Sequence, residues 1–534
     1  MRYRLEASAL LFLALATMAG CQVEEDPTPK APEITLVPDE TTPAANHTSS
    51  ANNAASENNA TSTTPGNNQT SANNTTTSAN ATTPEEPVVD PYDFPEIEGW
   101  DALEDINPDP NIVEVNLRAS RTDVEVAPDT TLNMMTYNES FPGPLLQAKV
   151  GDRVIVHFEN ALDQPTTVHW HGLRIPDDMD GSPRIQAPVQ PGGTFTYDFV
   201  VPEAGTFWYH PHVRTNEQLE RGLYAPIVIH DPDDPAVDRE RVVVVDDVLL
   251  DGDDFAPFLA HHMEFVHGRT GNALLINGSL EYPVEANTTG RAERWRIINV
   301  SNARTFVLSL QEGAQMTVAA TDGGRLKKPY TTERIEVAVG QRYDVIVEHE
   351  EGAPSTLTAH ILTVNAQDEV VESPFDLYKV TPEALETSAF ERDAWEGEEG
   401  PSFALPADRE VEIVLDGHTN SFTGRVVWTL NGEANAEEPL FTFAQDETVL
   451  ITLVNKQNPE HPFHLHGQFF EILDDGFGSS QPGLKDTVLV PGRRTVRIRA
   501  SMKNPGSWMA HCHILEHAEL GMMSEIEVTP REAP

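Results

Sequence analysis

Cysteine is nearly absent from this sequence: among 534 residues only Cys21 and Cys512 are present. If Cys21 carries a lipid and Cys512 binds a metal ion, no cysteine remains for a disulfide bond. The fold must then be held by its hydrophobic cores alone, even in an oxidising compartment. A chain of this length can form several domains with complete cores.

Basic residues are also scarce. Lys and Arg total 35 against 85 Asp and Glu, which gives a formal net charge of −50. Such a surface repels nucleic acids and anionic membranes, so we expect neither as a partner. The same charge concentrates cations near the protein, which suits a metal-ion or cationic-amine reductant.

Long apolar runs are missing beyond the N-terminus. Residues 9–16 form an apolar run too short to span a membrane, and Arg2 and Arg4 precede it, as is typical of an export signal. Residues 18–21 (Met-Ala-Gly-Cys) resemble the cleavage box of bacterial lipoproteins. We therefore expect residues 1–21 to be a lipoprotein-type signal peptide. The protein would be exported to the cell envelope and anchored only by a lipid, facing the periplasm or the cell surface.

Residues 22–95 are rich in Asn, Thr, Ser, Ala and Pro and contain almost no large apolar side chains. Because such a segment cannot bury a core, it predicts a disordered tether. Its r.m.s. reach of roughly 45–50 Å would hold the folded part of the chain away from the membrane.

Beyond residue 95, short β-branched runs broken by Pro, Gly, Asn and Asp are typical of antiparallel β-sandwiches. A weak repeat sets their number, because a proline and an apolar run recur between paired asparagines. The pairs are Asn138 and Asn160, Asn277 and Asn299, and Asn431 and Asn455. We predict an all-β protein with domains at residues 109–232, 239–383 and 405–531.

The stretch His-Cys-His-Ile-Leu-Glu-His at residues 511–517 organises the rest of the chain. Successive side chains on a strand point to opposite faces, so His511 and His513 would face away from Cys512. Cys512, His517 and Met522 can supply a thiolate, an imidazole and a weak axial thioether to a mononuclear blue-copper centre. The two remaining histidines are left for a second metal site, a few bonds from the sulfur.

Paired histidines recur at residues 169–171, 210–212 and 464–466, the last pair preceded by His461. Together with residues 511–517, these motifs contain ten of the nineteen histidines. A single pair would more often be a coincidence, but four pairs, one of them around Cys512, indicate metal binding. They lie only in the first and third predicted domains.

In this order the four motifs resemble the laccase-like multicopper oxidases with three cupredoxin domains, over roughly residues 110–530. The resemblance implies three cupredoxin-like Greek-key β-sandwich domains after the disordered tether. It also implies a trinuclear site of eight imidazoles, four each from the first and third domains, at the interface of these domains. The middle domain would be a spacer that brings the two faces together and walls off a substrate groove. The resemblance also implies four copper ions: one type 1, one type 2 and two type 3. The implied type 1 ligands are His461, Cys512 and His517, with Met522 axial. The implied type 2 ligands are His169 and His464, and the implied type 3 ligands are His171, His210, His212, His466, His511 and His513.

The resemblance implies an oxidase that takes single electrons from phenols or aromatic amines and reduces dioxygen to water. Cys512, His511 and His513 would carry the electrons. Asp180 matches a family carboxylate near the trinuclear site that could relay protons, although an aspartate before a glycine also suits a simple turn. We expect a monomer whose partners are dioxygen and a small-molecule or metal-ion reductant.

One position departs from the family pattern. Many bacterial relatives carry an acid directly after the last type 1 histidine, whereas here Ala518 occupies that position and Glu519 follows. On an extended segment a shift by one residue reverses the direction of the side chain, so a simple exchange of roles is not expected. Met523 could replace Met522 as axial ligand, but the family's loop length favours Met522.

Three other functions compete with this one. A metallo-oxidase acting on Cu(I), Mn(II) or Fe(II) stays open, and His261, His262 and His267 beside Met263 form either an extra soft-metal site or an exposed loop. A scaffold that has lost copper would lack ligands, yet all twelve positions are filled. A two-domain copper nitrite reductase is disfavoured by the threefold repeat.

Overall fold

The computed structural model describes residues 94–310, 316–364, 370–395 and 406–531. The predicted export signal, Cys21 and nearly all of the predicted tether lie outside the described residues. Within the described ranges, no helix has the length and apolar character needed to cross a membrane.

The first β-sandwich consists of two four-stranded sheets. The strands up to its end are β1 (Ile97–Glu98), β2 (Ile112–Ala127), β3 (Thr130–Tyr137), β4 (Leu146–Lys149), β5 (Arg153–Asn160), β6 (His169–His171), β7 (Thr194–Val200), β8 (Gly205–His210) and β9 (Ala225–His230). The sheets have the orders β3-β2-β5-β7 and β4-β9-β8-β6. On β5, Val154, Val156 and Phe158 are buried while residues between them are more exposed, as expected for a strand with one face on the core.

The second sandwich follows with thirteen strands. They are β10 (Arg239–Val248), β11 (Leu250–Asp251), β12 (Asp254–Phe255), β13 (Ala273–Ile276), β14 (Val284–Thr288), β15 (Ala292–Asn299), β16 (Phe306–Leu310), β17 (Met316–Thr321), β18 (Gly324–Thr332), β19 (Ile335–Val337), β20 (Arg342–Glu348), β21 (Ser355–Val364) and β22 (Val370–Pro382). Its sheets have the orders β1-β10-β15-β20-β17-β18, with β13 also paired to β10, and β14-β22-β21-β16-β19, while β11 and β12 pair separately.

The third sandwich contains eleven strands. They are β23 (Arg409–Thr419), β24 (Val426–Leu430), β25 (Phe441–Ala444), β26 (Thr448–Asn455), β27 (His461–Leu465), β28 (Phe470–Asp474), β29 (Gln481–Lys485), β30 (Thr487–Val490), β31 (Thr495–Ser501), β32 (Gly506–Cys512) and β33 (Met523–Thr529). The sheet orders are β24-β23-β26-β31-β28-β29 and β25-β33-β32-β27-β30.

Short helices lie where the sandwiches meet. α1 (Thr215–Glu220) belongs to the first sandwich, α2 (His262–His267) to the second and α3 (Leu515–Glu519) to the third, and α3 contacts both of the others. Single 3₁₀ turns occur at Asp177–Met179 and Arg392–Trp395.

β10 joins the first two sandwiches through its apolar run. Val243 and Val245 lie in the core of the second sandwich, whereas Val242 and Val244 lie in a separate buried cluster with Trp208 of the first. A strand buried on both faces needs such a continuous apolar sequence. Each fully buried valine stabilises the fold by about 1.5–3 kcal/mol.

β1 enters the second sandwich although it precedes the first in sequence. Ile97 lies opposite Glu240 of β10 in a parallel pair, and the Trp100 indole N–H donates to the Val242 carbonyl at 3.0 Å. The described chain therefore begins as an edge strand of the middle sandwich.

The asparagine repeat has a structural cause. Asn138, Asn277 and Asn431 have φ values of +50°, +48° and +52°, a region that asparagine adopts more readily than most residues. Each side chain accepts from the backbone N–H of a neighbouring strand at 2.7, 2.7 and 2.8 Å, respectively. The same corner is therefore built three times.

The second asparagine of each pair closes a loop from within the core. Asn160 donates to the carbonyls of Gln164 and Val189, and its side-chain oxygen accepts from the N–H of Leu162. Asn299 and Asn455 make the corresponding bonds in the other two sandwiches. The prediction of three similar β domains is confirmed.

Candidate metal centre

The C-terminal histidine motifs lie on neighbouring strands. β27 and β32 pair antiparallel, with His464 opposite His511 and Phe463 opposite Cys512. His511 and Cys512 are consecutive, so their side chains point to opposite faces of β32. The two strands thus carry candidate ligands on both faces, as the sequence predicts.

On one face, three ligand atoms converge. His461 Nδ1 lies 3.1 Å from His517 Nδ1, and Cys512 Sγ lies 3.5 Å and 3.7 Å from these two nitrogens. The Nε2–H of His517 donates to the Val266 carbonyl at 3.1 Å, so the lone pair of this imidazole is on Nδ1. A sulfur and two imidazole nitrogens directed at one point suit a soft cation such as copper.

Burial controls the protonation of this group. It raises the pKa of the Cys512 thiol well above its ordinary value and lowers the pKa of His461 to about 3. The imidazoles are therefore neutral, and the thiol keeps its proton unless a cation replaces it. A bound metal ion favours the thiolate, which is the form that ligates. The Ile514 N–H also donates to the sulfur at 3.4 Å.

Two further side chains enclose the site. The Trp428 ring lies 5.0 Å from the His461 ring and 4.3 Å from the His517 ring, measured between centroids. Met522 is fully buried in the same core cluster as Cys512, and its N–H donates to the His517 carbonyl at 2.9 Å. Met523, the first residue of β33, is only half-buried and pairs with His511 of β32. These positions favour Met522 over Met523 as the axial side chain.

On the other face, eight imidazoles meet between the first and third sandwiches. His169 stacks on His466 with centroids 4.0 Å apart, and His171 stacks on His464 with centroids 3.9 Å apart. Both stacks join the two sandwiches. Ligand atoms lie within 4.8 Å of one another in four groups: His169, His171 and His464; His169, His212 and His466; His171, His210 and His513; and His464, His466 and His511.

Hydrogen bonds determine which nitrogen carries the lone pair in six of the eight rings. Five rings donate Nδ1–H to an oxygen at 2.8–3.0 Å, which leaves Nε2 bare: His169, His210, His464, His466 and His511. His171 is turned the other way, because its Nε2 lies 3.3 Å from Asp486 Oδ1 and its Nδ1 is left bare.

The bare nitrogens test whether a metal fits. Within the described part of the chain, no hydrogen-bond partner reaches His169 Nε2, His171 Nδ1, His210 Nε2, His464 Nε2 or either nitrogen of His212 and His513. Nε2 of His466 and Nε2 of His511 lie 3.1 Å apart although both are acceptors. Buried acceptors without donors are costly, so this arrangement needs cations, and imidazole suits copper.

Burial also keeps six of these rings neutral and able to ligate. Burial, reinforced by neighbouring imidazoles, lowers the pKa of His511 to about 3 and the pKa values of other rings well below their ordinary value. Those rings are His171, His210, His212, His466 and His513.

Asp180 lies beside the cluster, as predicted. Its carboxylate accepts from His466 Nδ1–H at 2.8 Å, and its backbone carbonyl accepts from His169 Nδ1–H at 2.8 Å. Asp180 is 1% exposed. It therefore orients two candidate ligands through the nitrogens that face away from the metal.

Asp486 plays a similar part but is not marked by any sequence motif. Its backbone carbonyl accepts from His464 Nδ1–H at 2.9 Å, and its carboxylate contacts His171 and binds Arg342 at 2.6 and 2.8 Å. Burial raises its pKa, but Arg342 and His171 outweigh this effect and hold the pKa well below its ordinary value. Arg342 belongs to the middle sandwich.

The middle sandwich therefore touches the cluster directly. Gly340, with φ +84°, is so close that an added Cβ would lie 3.0 Å from His513 Cδ2 and 3.1 Å from His171 Cε1. The sequence predicts that this sandwich is a spacer between the other two, and the structure adds a direct contact with the cluster. Sequence reasoning missed this turn because no histidine or cysteine marks it.

The segment after Cys512 differs from the prediction. Residues 515–519 form helix α3 rather than an extended segment, because Leu, Glu and Ala are good helix formers. Ala518 is buried, Glu519 is exposed, and Glu516 is fully buried, accepting from the Arg269 N–H and the Asn302 amide. The argument from an extended backbone is therefore wrong, although Glu519 still points to solvent.

Helix α2 covers the sulfur-containing site. The carbonyls of Phe265 and Val266 accept from the ring N–H groups of Trp428 and His517. His261 and His262 are exposed and His267 is half-buried. Among the described residues, these three histidines do not belong to any group of close ligand atoms.

Comparison with known proteins agrees with this geometry. Residues 118–234, 256–370 and 376–532 each match the multicopper oxidase family. The chain is 31% identical over 441 residues to multicopper oxidase MmcO of Mycobacterium tuberculosis, which covers 74% of this chain and 83% of that protein.

Solved structures share the fold. A multicopper oxidase from Campylobacter jejuni, described as a metallo-oxidase, is 26% identical with a TM-score of 0.69 and covers 82% of this chain and 96% of that chain. A laccase from Pediococcus acidilactici is 27% identical with a TM-score of 0.69 and covers 82% and 94%. The prediction of three cupredoxin-like sandwiches is confirmed.

Proposed function

This chain belongs to the multicopper oxidases, copper-dependent oxidoreductases that use dioxygen as acceptor, and we propose that its reductants are phenols or aromatic amines. Each reductant would give up one electron, and four electrons with four protons would reduce one dioxygen to two water molecules. The set of bare, buried ring nitrogens on one face of β32, beside the sulfur group on the other, supports the copper chemistry. The similarity of the chain to a laccase supports the choice of reductants.

We assign four copper ions to these residues. The type 1 site comprises His461, Cys512 and His517, with Met522 axial. The type 2 site comprises His169 and His464. The type 3 sites comprise His171, His210, His212, His466, His511 and His513. When bound, four copper ions together hold the four electrons that dioxygen needs.

The protein's own groups define the path between the two sites. His511 and His513 flank Cys512 in the chain, so a few covalent bonds connect the sulfur with two imidazoles of the cluster. Asp180 holds His466 and His169 and is the nearest candidate for moving protons to the cluster. Ala518 cannot take part, and Glu519 faces solvent.

A metal-ion reductant, Cu(I), Mn(II) or Fe(II), is the second candidate. Helix α2 occupies the His517 Nε2–H through the Val266 carbonyl, so a phenol cannot bond this nitrogen without displacing the helix. The exposed His262 and Met263 of the same helix, with His261 just before it, offer ligands for a soft metal ion. The net charge of −50 attracts such cations.

The cellular setting is part of the proposal. We propose an exported, monomeric lipoprotein whose lipid on Cys21 is its only membrane attachment, facing the periplasm or the cell surface. The sequence of residues 1–21 and the composition of residues 22–95 support it.

A substrate panel tests the function. Copper-loaded protein is mixed with phenols, aromatic amines, Cu(I), Mn(II) and Fe(II), and oxygen uptake is measured. Cys512→Ser should abolish the intense blue absorption and all turnover, whereas Cys21→Ser, at the only other cysteine, should leave both unchanged. Oxygen consumption retained by Cys512→Ser would refute the assignment of the electron-accepting site. Replacement of His261, His262 and His267 together should leave phenol oxidation intact, and a selective loss of metal oxidation would favour the second candidate.

A further inference from the structure

Arg342 lies where all three sandwiches meet. It is 0% exposed, and all five of its side-chain N–H groups have acceptors. Nε–H donates to the Thr206 carbonyl of the first sandwich, and the terminal nitrogens donate to the Gly340 and Asp322 carbonyls of the second. The same two nitrogens donate to the two carboxylate oxygens of Asp486 of the third, at 2.8 and 2.6 Å.

The carboxylate that Arg342 holds is directed at the cluster. Asp486 Oδ1 accepts from Arg342, from the Thr487 hydroxyl at 2.8 Å and from His171 Nε2–H at 3.3 Å. The same hydroxyl lies 3.0 Å from His464 Nδ1. One ion pair therefore contacts a ring of the first sandwich and a ring of the third.

His171 differs from the five rings that donate Nδ1–H. Its Nε2–H points to a carboxylate oxygen, which leaves Nδ1 as the ligand atom. Rotation of the ring about its Cβ–Cγ bond would exchange the two edges, so something outside the ring must select this orientation. Gly340 lies close to Cε1 of the ring but has no side chain that could distinguish the nitrogens. Asp486 is the group that distinguishes the two nitrogens.

We propose that Arg342 is a positioning residue for the copper cluster: by fixing the Asp486 carboxylate, it makes His171 ligate through Nδ1 and holds His464 beside it. This inference rests on the proposed copper sites. Arginine is required because only a planar guanidinium can bind both carboxylate oxygens while still donating to three carbonyls. Lysine keeps the charge but has only three donors and cannot form the two parallel bonds.

The test compares copper retention at the two sites. Arg342→Lys and Asp486→Asn are loaded with copper and titrated with a copper chelator, while copper per chain, the type 1 absorption and the type 2 electron paramagnetic resonance signal are followed. Both variants should lose cluster copper at a 10- to 100-fold lower chelator concentration than the wild type and keep the type 1 absorption. A crystal structure of copper-loaded Asp486→Asn should show the His171 ring turned over or displaced.

A third variant covers the case in which these two fail to fold. Thr487→Val removes one donor to Asp486 and the hydroxyl beside His464 with little change of shape. It should show the same selective loss, smaller in size. If Thr487→Val and every other variant that folds retain cluster copper within twofold of the wild type, the inference is overturned.

Arg241→Lys is the matched control. Arg241 is also buried and paired with a carboxylate, Glu293, but it does not contact a cluster histidine. The Arg241→Lys variant should be less stable than the wild type, with both copper signals unchanged. Equal loss of cluster copper in this control would show that the effect is general destabilisation and would overturn the inference. Wild-type protein that takes up no cluster copper would instead refute the proposed function.

Discussion

Replacement of Gly340 by alanine should disturb the copper cluster from a residue that cannot itself bind metal. Gly340 has φ +84°, and an added Cβ would lie 3.0 Å from His513 Cδ2 and 3.1 Å from His171 Cε1. Carbon atoms in favourable contact are about 3.5–4.0 Å apart, so each ring must give way by a few tenths of an ångström. Both rings are assigned to type 3 copper, where such a shift opposes ligation.

Two contributions to the effect can be separated. A residue with a side chain in the left-handed region destabilises the fold by about 1–2 kcal/mol wherever it occurs. Gly151 has φ +89°, and nothing in the described part of the chain lies within 4 Å of its added Cβ. Gly151→Ala therefore measures the backbone contribution alone. Overpacking at Gly340 should add about 1–3 kcal/mol.

The assay is chemical unfolding of both variants, with and without copper, together with copper per chain. Gly340→Ala should be less stable than Gly151→Ala, and the difference should be larger with copper because copper fixes the rings that the methyl group pushes. Its cluster copper should fall while the type 1 absorption stays. Equal stabilities with full copper occupancy in both variants would refute the reasoning.

Three further predictions concern other parts of the molecule. Asp180→Asn should lower oxygen uptake by about 10- to 100-fold without changing the type 1 absorption, because it removes the charged carboxylate that accepts from His466 Nδ1–H; unchanged uptake would exclude this carboxylate from both the orientation of His466 and proton transfer. Burial and the neighbouring Asp247 raise the pKa of Asp246 to about 8 from an unfolded value near 3.8, so the folded state binds a proton that the unfolded state releases. The free energy of unfolding should therefore fall as pH rises from about 4 to about 8, by up to ~1.4 kcal/mol per pH unit from this group. Asp246→Asn should be less stable than the wild type, and the difference in stability should shrink over that pH range. Urea unfolding at several pH values measures both. Removal of copper should lower the midpoint of thermal unfolding by several degrees, and copper but not Mg²⁺ should restore it, because each bare buried nitrogen costs about 1–3 kcal/mol.

The parts of the site that sequence predicts are those that local geometry determines. Alternation along a strand places His511 and Cys512 on opposite faces whatever lies around them. The paired asparagines likewise report a local corner, since Asn138 and its two counterparts need a left-handed backbone and bond the adjacent strand. Such features require no knowledge of distant contacts, so the fold class and the two opposite faces of β32 can be predicted from the chain alone.

The supporting residues depend on contacts that local pattern does not contain. Asp486 and Arg342 are separated by 144 positions, and neither sits in a histidine motif. Gly340 acts by lacking a side chain, and Val266 acts through its carbonyl, so residue type does not reveal either role. β1 pairs with β10 across a whole sandwich, which no short-range signal predicts.

Helix α3 shows a different kind of failure. If residues 515–519 continued β32, the side chains of Ala518 and Glu519 would point in opposite directions. In a helix, successive side chains are instead about 100° apart. The helical turn returns the chain so that His517 faces Cys512, five positions earlier. It also buries Glu516 against the N–H of Arg269.

The three-sandwich arrangement has a mechanical consequence for the cluster. The first and third sandwiches supply all eight imidazoles, so any relative movement of these two sandwiches would separate His169 from His466 and His171 from His464. The imidazole contacts alone resist such movement weakly, because bare nitrogens repel one another before metal binds. Arg342 belongs to the second sandwich and donates hydrogen bonds to Thr206 of the first and to Asp486 of the third. A metal-free protein with this ion pair intact should therefore keep the two halves of the site in register, ready for copper.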